Sequence, residues 1–396
     1  MTGPAAGGGA EGPLVFLVAG EPSGDQLGAR LMAALKAETG GRVRFAGVGG
    51  KAMAGQGLDS LVPIEEFALL GVAEILPHVF KLLYRIRQIA NAARIARPDL
   101  VVTIDSPELT LRVNKRLHGF GIPLVHYVAP SVWAWKPWRA ARMARYLDHL
   151  LTLLPFEPPY FEKHGLPATF VGHPAVEAAG QPADADLFRR EHGIAESAPL
   201  LCVLPGSRAG EVRRLEPVFA GALGLLRKGF PELRVLVPTV PGVAGQVEAA
   251  AAGWPVPAVV LAGAEEKRAA FAAATAALAA SGTVAVELAV AGLPAVIAYK
   301  VAPLTAFIGR RVIKLPCVSL PNLLLGRMVQ PELLQENCTP QKLADALGHL
   351  LSDPDARRVQ IEACGQIVGL LSPGGELPSR RAARTLLGLI GSDESQ

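Results

Sequence analysis

The chain has 396 residues, of which 50% are hydrophobic and 19% charged, and its formal net charge is +4. This length allows two or three domains with sizeable cores. The mean hydropathy of +0.31 is high, but charge, glycine or proline interrupts the most apolar stretches, so the sequence predicts no membrane-spanning helix. So modest a net charge does not by itself indicate a nucleic-acid-binding protein, and we expect no nucleic acid among the partners.

The cysteine spacing and the N-terminal residues further limit the class of protein to which the chain can belong. The four cysteines are scattered without a CxxC pair, which predicts neither a disulfide framework nor a zinc site. We therefore expect no metal and no cofactor. Residues 1–12 lack the basic and apolar segments of a signal peptide, and we interpret them as a flexible tail on a cytoplasmic protein.

Strand-like apolar runs alternate with helical stretches from Leu14 onwards, a pattern typical of a parallel sheet covered by helices. The first half has predicted strands at 14–19, 42–48, 99–104 and 123–128. After a linker at 172–182, rich in Pro, Gly and Ala, the second half has predicted strands at 200–204, 233–238, 258–262, 276–280 and 295–299. From the helix start at Thr339 and Pro340 we expect helices to the end, with a solvated face carrying Arg380, Arg381 and Arg384.

The predicted fold class is therefore α/β, with two Rossmann-like doubly wound domains that face a central cleft and a helical C-terminus. The predicted boundaries are a tail at 1–12, an N-terminal domain at 13–175, a C-terminal domain at 176–340, and helices at 341–396 that pack back across the domains or onto a dimer partner. Ligands of such folds bind at the carboxyl ends of the strands, so functional motifs should lie there.

The first such motif is the loop Gly20-Glu21-Pro22-Ser23-Gly24-Asp25. Its glycines would let the backbone approach a ligand, and Asp25 is expected to cap the next helix. A purely structural turn is the alternative interpretation. The loop matches neither GxGxxG nor a Walker motif, and Gly47 to Lys51 lacks the Ser or Thr of a phosphate loop, so the sequence does not support nucleoside triphosphate hydrolysis.

Asp105 follows the buried strand 99–104. A carboxylate at this strand end would point into the crevice, where it could remove a proton from an attacking hydroxyl. Helix capping is the alternative, but Ser106 is expected to supply the cap. We therefore predict a functional role for Asp105.

Two loops of the second half have the character of an anion site. Ser207 and Arg208 follow the strand 200–204. The Ser207 hydroxyl can donate a hydrogen bond, and the Arg208 guanidinium can bind a phosphate through two hydrogen bonds. Ser281-Gly282-Thr283 precede a short apolar helix, whose N-terminus favours an anion, and Glu287 on that helix could accept from sugar hydroxyls. Together they are typical of a nucleotide diphosphate-sugar site, although an Arg in a surface turn is the plainer alternative for Arg208.

Three further patterns have plainer explanations beside the functional ones. Asp184 and Asp186 form a DxD pattern, which we interpret as complementing a helix dipole rather than binding metal. The helical stretch 78–96 is basic and amphipathic, which suits a membrane surface or an ordinary surface helix equally well. Its apolar positions are Val79, Leu82, Leu83, Ile86 and Ile89, and its basic positions are Lys81, Arg85, Arg87 and Arg94. The segment 133–145 mixes three tryptophans with basic residues, and its place after a strand favours a substrate loop over a nucleic-acid site.

Taken together, seven motifs resemble the lipid-A-disaccharide synthase family from about Leu14 to the C-terminal helices. The motifs are GEPSGD from Gly20, IDSP from Ile104, HYVAPSVWAW from His126, VGH from Val171, LPGSR from Leu204, SGT from Ser281 with Glu287, and VSLPN from Val318. Pro22 and Glu108-Leu109 depart from the commonest family pattern, which affects the expected loop shape and acyl-chain preference rather than the reaction.

The resemblance implies a GT-B fold and an inverting, metal-independent transfer of 2,3-diacylglucosamine from UDP to the 6-hydroxyl of 2,3-diacylglucosamine 1-phosphate. It implies that Asp105 is the general base, that Arg208 lies near the diphosphate and that Glu287 holds the ribose. Asn322 and Gln335 would also face the UDP site, and Gly20, Glu21, Ser23 and Gly24 would form a glycine loop at the cleft. It further implies a peripheral location on the cytoplasmic face of the inner membrane and a possible C-terminally swapped homodimer.

Two rival interpretations stay open at this point. One keeps the fold but makes the chain a UDP-sugar epimerase, or a transferase that acts on another glycan acceptor. The other treats the basic, Trp-rich region as a nucleic-acid or membrane-binding surface on an inert scaffold. Release of UDP that requires a lipid monosaccharide would argue against both the epimerase and the scaffold.

Overall fold

The structure is a computed structural model that describes residues 12–68, 75–180, 183–302 and 316–393. These residues divide into two compact units. The first comprises the described residues up to Pro174 together with those from Ser372 onwards, and the second spans Ala175–Leu371. The N-terminal tail predicted for 1–12 lies outside the described residues except for Gly12.

The first unit is built on a parallel sheet of six strands in the order β2-β1-β3-β4-β5-β6. The strands are β1 Leu14–Ala19, β2 Arg44–Val48, β3 Leu100–Ile104, β4 Leu124–Tyr127, β5 His149–Thr152 and β6 Ala168–Phe170. Its helices are α1 Pro22–Thr39, α2 Lys51–Ala54, α3 Glu65–Ala68, α4 Ile75–Ala96, α5 Pro107–Leu117, α6 Trp138–Met143 and α7 Pro159–Glu162. All five residues of β3 are buried, as expected for a strand covered on both faces.

The second unit has a parallel sheet in the order β12-β11-β10-β7-β8-β9. Its strands are β7 Leu200–Leu204, β8 Arg234–Thr239, β9 Ala258–Ala262, β10 Ala276–Ala280, β11 Ala295–Tyr299 and β12 Glu332–Leu334. Its helices, of which the first begins at the boundary between the units, are α8 Pro174–Ala179, α9 Ala185–Glu191, α10 Ala209–Gly229, α11 Ala244–Ala251, α12 Ala264–Ala273, α13 Val284–Val290, α14 Leu320–Leu325, α15 Pro340–Ser352 and α16 Pro354–Leu371. These two sheets confirm the predicted α/β class.

Each sheet reverses its strand order at one point. In the first unit the chain runs from β1 outwards to β2 and then returns to place β3 on the other side of β1, where Ala19 pairs with Ile104. In the second unit it runs from β7 to β9 and then places β10 beside β7, where Leu204 pairs with Ala279. Loops that leave such neighbouring strands in opposite directions open a crevice, which is the usual ligand position in open parallel sheets.

All nine strands predicted from the sequence are present, with ends that differ by at most two residues. Three short strands were not predicted: β5, β6 and β12 have four, three and three residues. All four cysteines are free and buried, and burial raises the pKa of the Cys364 thiol to about 11.

The last helix, α17 Pro378–Asp393, packs on α1 within the first unit. Ala382, Ala383 and Leu386 are fully buried in the core that α1 shares with β1 and β3. The predicted solvated face is confirmed for Arg380 and Arg384, whose side chains are 54% and 52% exposed, and both also bind the Glu38 carboxylate at the end of α1. Their guanidinium groups hold the pKa of Glu38 below its usual range.

Asp25 has a different role from the predicted one. The N-cap of α1 is Glu21, and Asp25 lies in the first turn of that helix. Its buried carboxylate accepts hydrogen bonds from the backbone N–H groups of Gly50, Ala52 and Met53, at 2.7, 3.0 and 3.0 Å. It therefore caps α2, a helix 26 residues further along the chain, and ties α1 to the loop after β2.

Replacing Asp25 by Ala should destabilise the first unit by about 2–4 kcal/mol, because three backbone donors at the start of α2 lose their acceptor inside the protein. Urea unfolding monitored by circular dichroism measures this difference. Asp184→Ala is the matched control, since Asp184 caps α9 through a single bond to the N–H of Leu187. A loss of about 1 kcal/mol or less is expected there. Equal effects of the two substitutions would contradict the buried three-bond cap.

Candidate functional site

Asp105 lies at the carboxyl end of β3, next to the point where the first sheet reverses its strand order. Asp105 and Ser106 both have positive φ, at 52° and 42°, which is a costly conformation for residues with a Cβ. Hydrogen bonds hold this conformation: the Asp105 N–H donates to the Tyr127 carbonyl at 2.9 Å, and the Thr110 hydroxyl donates to the Asp105 carbonyl at 2.6 Å. Strained backbone that is held in place by surrounding contacts is found most often at functional sites.

The carboxylate of Asp105 is half-buried and has two hydrogen bonds. Oδ1 accepts from the N–H of Ser106 at 2.8 Å, and Oδ2 accepts from the hydroxyl of Ser23 at 3.2 Å. The expected capping by Ser106 is wrong, since its side chain makes no cap bond and its Oγ is buried without a partner among the described residues. The carboxylate is thus oriented by two donors and keeps accepting capacity for a substrate hydroxyl.

The glycine loop after β1 packs against the start of α5. A Cβ on Gly20 would lie 2.7 Å from Leu109 Cδ2 and 3.0 Å from Ser106 Cβ, so a side chain at this position would require Leu109 and Ser106 to shift. Gly24 is also buried, and a Cβ there would lie 3.2 Å from the Ile104 carbonyl. These glycines therefore allow a close approach to the protein's own chain, and the approach of a ligand to this loop stays a prediction. The approach brings Ser23 to Asp105, while Glu21 is exposed beside them.

The Trp-containing loop after β4 is anchored by a buried carboxyl group. The Trp133 indole N–H donates to Glu157 Oε1 at 3.2 Å, and Glu157 Oε2 accepts from the backbone N–H groups of Leu153 and Leu154 at 3.1 and 3.0 Å. Trp135 and Trp138 on the same loop remain exposed, at 45% and 56%. The loop is therefore fixed at one tryptophan and presents the other two to solvent.

Burial raises the pKa of the Glu157 carboxyl from its ordinary 4.5 to about 7, against the opposing effect of its hydrogen-bond donors. Between these two pH values, Glu157 keeps its proton in the folded chain and loses it in the unfolded chain. The resulting stabilisation is fully present below about pH 4.5 and is lost as the pH rises through 7.

Removing this titration should flatten the pH dependence of stability. From pH 5 to pH 8 the wild type should lose about 2–3 kcal/mol relative to Glu157→Gln, because the amide does not titrate. Thermal or urea unfolding at half-unit pH intervals measures the difference, and Glu162→Gln, an exposed position nearby, should follow the wild type. Parallel pH profiles for Glu157→Gln and the wild type would contradict the raised pKa.

Ser207 and Arg208 lie in the loop between β7 and α10. Gly206 has a φ of 125°, and a Cβ there would lie 2.7 Å from that of Glu211. The Glu211 carboxylate accepts from the Ser207 N–H at 3.1 Å and from Arg208 Nη1 at 3.3 Å. Glu211 therefore shapes the loop, while the Arg208 side chain is 82% exposed and can bind an anion.

The Ser281 loop leaves β10, the strand beside β7. Gly282 and Thr283 are exposed, and α13 begins immediately after them with no side-chain cap. Glu287 on α13 forms an ion pair with Lys267 of α12, whose ammonium also lies 5.6 Å from the ring centre of Phe271. The two loops predicted to form an anion site are thus carried by adjacent parallel strands, with a carboxylate and an ammonium group beside them.

Gln335 and Asn322 differ in how they are placed. Gln335 follows β12 with a φ of 50°, and its Oε1 lies 3.4 Å from the Val301 N–H that donates to it. Asn322 is fully buried: its amide group donates to the Gln330 carbonyl and to Glu332 and accepts from the N–H groups of Val329 and Gln330, all within 2.9 Å. A fifth hydrogen bond runs from its Nδ2 to Met328 Sδ at 3.2 Å. All five are made to the chain, so Asn322 positions a loop, and its contact with UDP stays a prediction.

The predicted site residues therefore form two groups, each at the strand-order reversal of its own sheet. Gly20, Glu21, Ser23, Gly24 and Asp105 belong to the first. Ser207, Arg208, Ser281, Gly282, Thr283 and Glu287 belong to the second, with Gln335 at the same sheet edge. Within the described ranges, no group of three or more His, Cys, Asp or Glu side chains could hold a metal ion.

Three contributors were not identified from the sequence: Glu157, Glu211 and Lys267. Glu211 carries a weak local signal, since it follows Ser207 by four residues at the start of a helix, where a carboxylate can return to the backbone. Glu157 and Lys267 contact partners 24 and 20 residues away, and no local pattern predicts such contacts. Asp184 is the N-cap of α9 and Asp186 lies in its first turn, which confirms the interpretation that this pair complements a helix dipole. No described helix is long and apolar enough to cross a bilayer.

Comparison with known proteins gives a consistent result over nearly the whole chain. Residues 15–376 match the family model described as lipid-A-disaccharide synthetase. A lipid-A-disaccharide synthase from Rhodospirillum centenum is 54% identical over 95% of this chain and 94% of that protein. One from Paramagnetospirillum magneticum is 49% identical over 97% of this chain and 99% of that protein.

Solved structures with low sequence identity share the fold. The S. aureus MnaA-UDP co-structure superposes with a TM-score of 0.63 at 13% identity and covers 96% of both chains. The Acinetobacter baumannii MurG structure gives a TM-score of 0.53 at 15% identity, covering 96% of this chain and 99% of that one. The predicted GT-B fold class is confirmed by these similarities together with the two six-stranded parallel sheets.

Proposed function

Since the chain belongs to the lipid-A-disaccharide synthetase family, and is therefore a UDP-sugar-dependent glycosyltransferase, we propose that it transfers 2,3-diacylglucosamine from UDP to the 6-hydroxyl of 2,3-diacylglucosamine 1-phosphate. The products are the lipid A disaccharide 1-phosphate and UDP. The observation that carries the proposal is the strained, doubly hydrogen-bonded Asp105 at the strand-order reversal of the first sheet.

The proposed reaction is a single displacement with inversion. The acceptor hydroxyl gives its proton to the Asp105 carboxylate, its oxygen forms a bond to the anomeric carbon, and the bond from that carbon to the diphosphate oxygen breaks. UDP leaves with the electron pair. No covalent enzyme intermediate is formed, because the hydroxyl oxygen is itself the nucleophile.

In this proposal the second unit binds the leaving group. Arg208 contacts the diphosphate, and the exposed backbone of Gly282 and Thr283 contributes N–H donors from the neighbouring loop. Glu287 accepts from the ribose hydroxyls, and Lys267 holds its carboxylate in place. Support comes from the adjacency of β7 and β10, which carry these loops side by side.

The proposed location is the cytoplasmic face of the inner membrane. All exposed aromatic side chains in the described part of the chain belong to the first unit: Phe80, Tyr84, Phe120, Trp135 and Trp138. Aromatic side chains beside basic ones suit the interface of an anionic bilayer. The side chains of α4 before Phe80, including the predicted apolar Val79, lie outside the described residues. The swapped homodimer stays a prediction.

The proposed function is tested by incubating the purified chain with UDP-2,3-diacylglucosamine and the 1-phosphate acceptor in the presence of a chelator. UDP and a disaccharide 1-phosphate should form in equal amounts, and only when both lipids are present. UDP-sugar interconversion without acceptor would instead favour an epimerase. Loss of turnover on chelation would contradict the metal-independent reaction.

A further inference from the structure

A basic cavity lies in the first unit, lined by α4, α5 and the segment from Lys136 to Tyr146. Its volume is about 870 Å³. Eight Arg and Lys side chains line it, against a single acidic one, Glu108. The Glu108 carboxylate is already paired with Arg139 at 3.2 Å. The cavity is therefore strongly cationic within a chain whose formal net charge is only +4.

Most of these cations have no carboxylate to neutralise them. Among the described residues, no acidic side chain lies within ion-pair distance of seven of the eight, namely Arg87, Arg94, Arg112, Lys115, Arg116, Lys136 and Arg142. A concave wall of like charges focuses the electrostatic potential and attracts an anion. Arginine forks bind phosphate through paired hydrogen bonds, so a phosphate group is a matching ligand.

Apolar and aromatic side chains lie among the cations of the cavity wall. Leu83, Leu111 and Trp138 line it together with the cations. Arg94 lies over the Phe120 ring at 4.0 Å from its centre, and the Lys136 ammonium lies 4.1 Å from the ring centre of Trp135. A ligand with both a phosphate and hydrocarbon chains fits this combination better than a free anion does.

The position of the cavity relates it to the proposed base. Pro107 and Glu108 line the cavity, and Pro107 follows Asp105 by two residues. Two residues of backbone span at most about 7 Å, so the rim of the cavity begins within that distance of the Asp105 α-carbon. This is comparable to the width of one sugar ring with its substituents.

We propose that this cavity receives the phosphate monoester of the lipid acceptor. The inference rests on the proposed function, which supplies an acceptor with the attacking hydroxyl at one end of a glucosamine ring and the phosphate at the other. Arg112 and Arg116, one helical turn apart on α5, and Arg142 at α6 bind the phosphate oxygens. The phosphate thereby orients the ring so that its hydroxyl meets Asp105.

The test compares acceptors with and without the phosphate, in detergent micelles and with saturating UDP-sugar. Arg112→Gln/Arg116→Gln and Arg142→Gln should raise the KM for the phosphorylated acceptor at least tenfold and change kcat by less than about threefold. Their kcat/KM for the acceptor without phosphate should stay within about twofold of the wild type.

Arg145→Gln is the matched control, because Arg145 is exposed near Arg142 but does not line the cavity. Inorganic phosphate should compete with the acceptor in the wild type and not in the double variant.

Three outcomes would overturn the assignment. The first is unchanged KM values in the variants, and the second is an equal loss for both acceptors. The third is weaker binding of the double variant to phosphatidylglycerol vesicles, relative to phosphatidylcholine vesicles, while its discrimination between the two acceptors is unchanged. The cavity would then hold a bulk lipid headgroup.

Absence of turnover in the wild type would refute the proposed function instead. Tryptophan fluorescence titration with the phosphorylated lipid would then decide the cavity's role, because tighter binding by the wild type than by the double variant supports it and equal binding refutes it.

Discussion

Replacing Asp105 by Asn is expected to lower kcat about a thousandfold or more while the affinity for UDP changes less than about twofold. The amide cannot take the proton of the acceptor hydroxyl, and general base catalysis accounts for about 10² to 10⁴ of rate. The amide keeps the size of the side chain and its oxygen can still accept from Ser106 or Ser23. The measurements are steady-state release of UDP and calorimetric titration with UDP.

A matched exposed carboxylate provides the control for this substitution. Asp59 belongs to the same unit and is exposed, so Asp59→Asn should retain wild-type turnover. Near-normal turnover of Asp105→Asn would remove Asp105 from the proposed mechanism. A large loss of UDP affinity in the same variant would show that the effect is on binding rather than on proton transfer. Raising the pH of the assay should not restore turnover of Asp105→Asn, because an amide does not titrate.

Replacing Arg208 by Gln is expected to weaken UDP binding about 10- to 100-fold. Hydrogen bonds to a charged group contribute about 1.5–3 kcal/mol, and the loss of the guanidinium removes them from the diphosphate. The side chain is 82% exposed and its one ion pair within the described ranges is to Glu211, so the variant should fold normally. Calorimetric titration with UDP and the donor KM both report the change.

Lysine at position 208 should recover part of the affinity, since it restores the charge without the paired hydrogen bonds. Arg213→Gln is the matched control: Arg213 is exposed on α10, five residues after Arg208, and its replacement should leave UDP binding unchanged. Equal effects of the two glutamine substitutions would mean that Arg208 contributes only to the general positive potential of this surface. High salt would then reduce binding by all variants alike.

The two loops with the largest expected effects share a structural feature. Each is shaped by a nearby side chain: Glu211 accepts from Ser207 and Arg208, and Thr110 fixes the carbonyl of Asp105. Thr110→Ala should therefore lower turnover by less than Asp105→Asn does, because it relaxes the loop without removing the proton acceptor. The strain of two consecutive positive-φ residues is maintained by these contacts and not by the local sequence.

The long buried strands were predictable because their side chains are apolar on both faces. β3, β7 and β10 have five buried residues each, and all of these except Thr103 of β3 are apolar. β5, β6 and β12 are short, and β6 and β12 have only partly buried side chains, so their sequences resemble loops. Their extended conformation depends on pairing with a neighbouring strand that is distant in sequence.

The sequence by itself determined the α/β class, the strand-end position of Asp105, of Ser207 with Arg208 and of the Ser281 loop, and the chemistry those residues offer. Those properties follow from hydrophobic periodicity and side-chain type, which are local. Tertiary structure decided that Asp25 caps a distant helix, that Glu38 binds two arginines of α17, that Asn322 is used internally, and that eight cations line one cavity. Each of these depends on residues brought together from separate elements, and only the packing of those elements fixes which charges find partners and which remain available for a ligand.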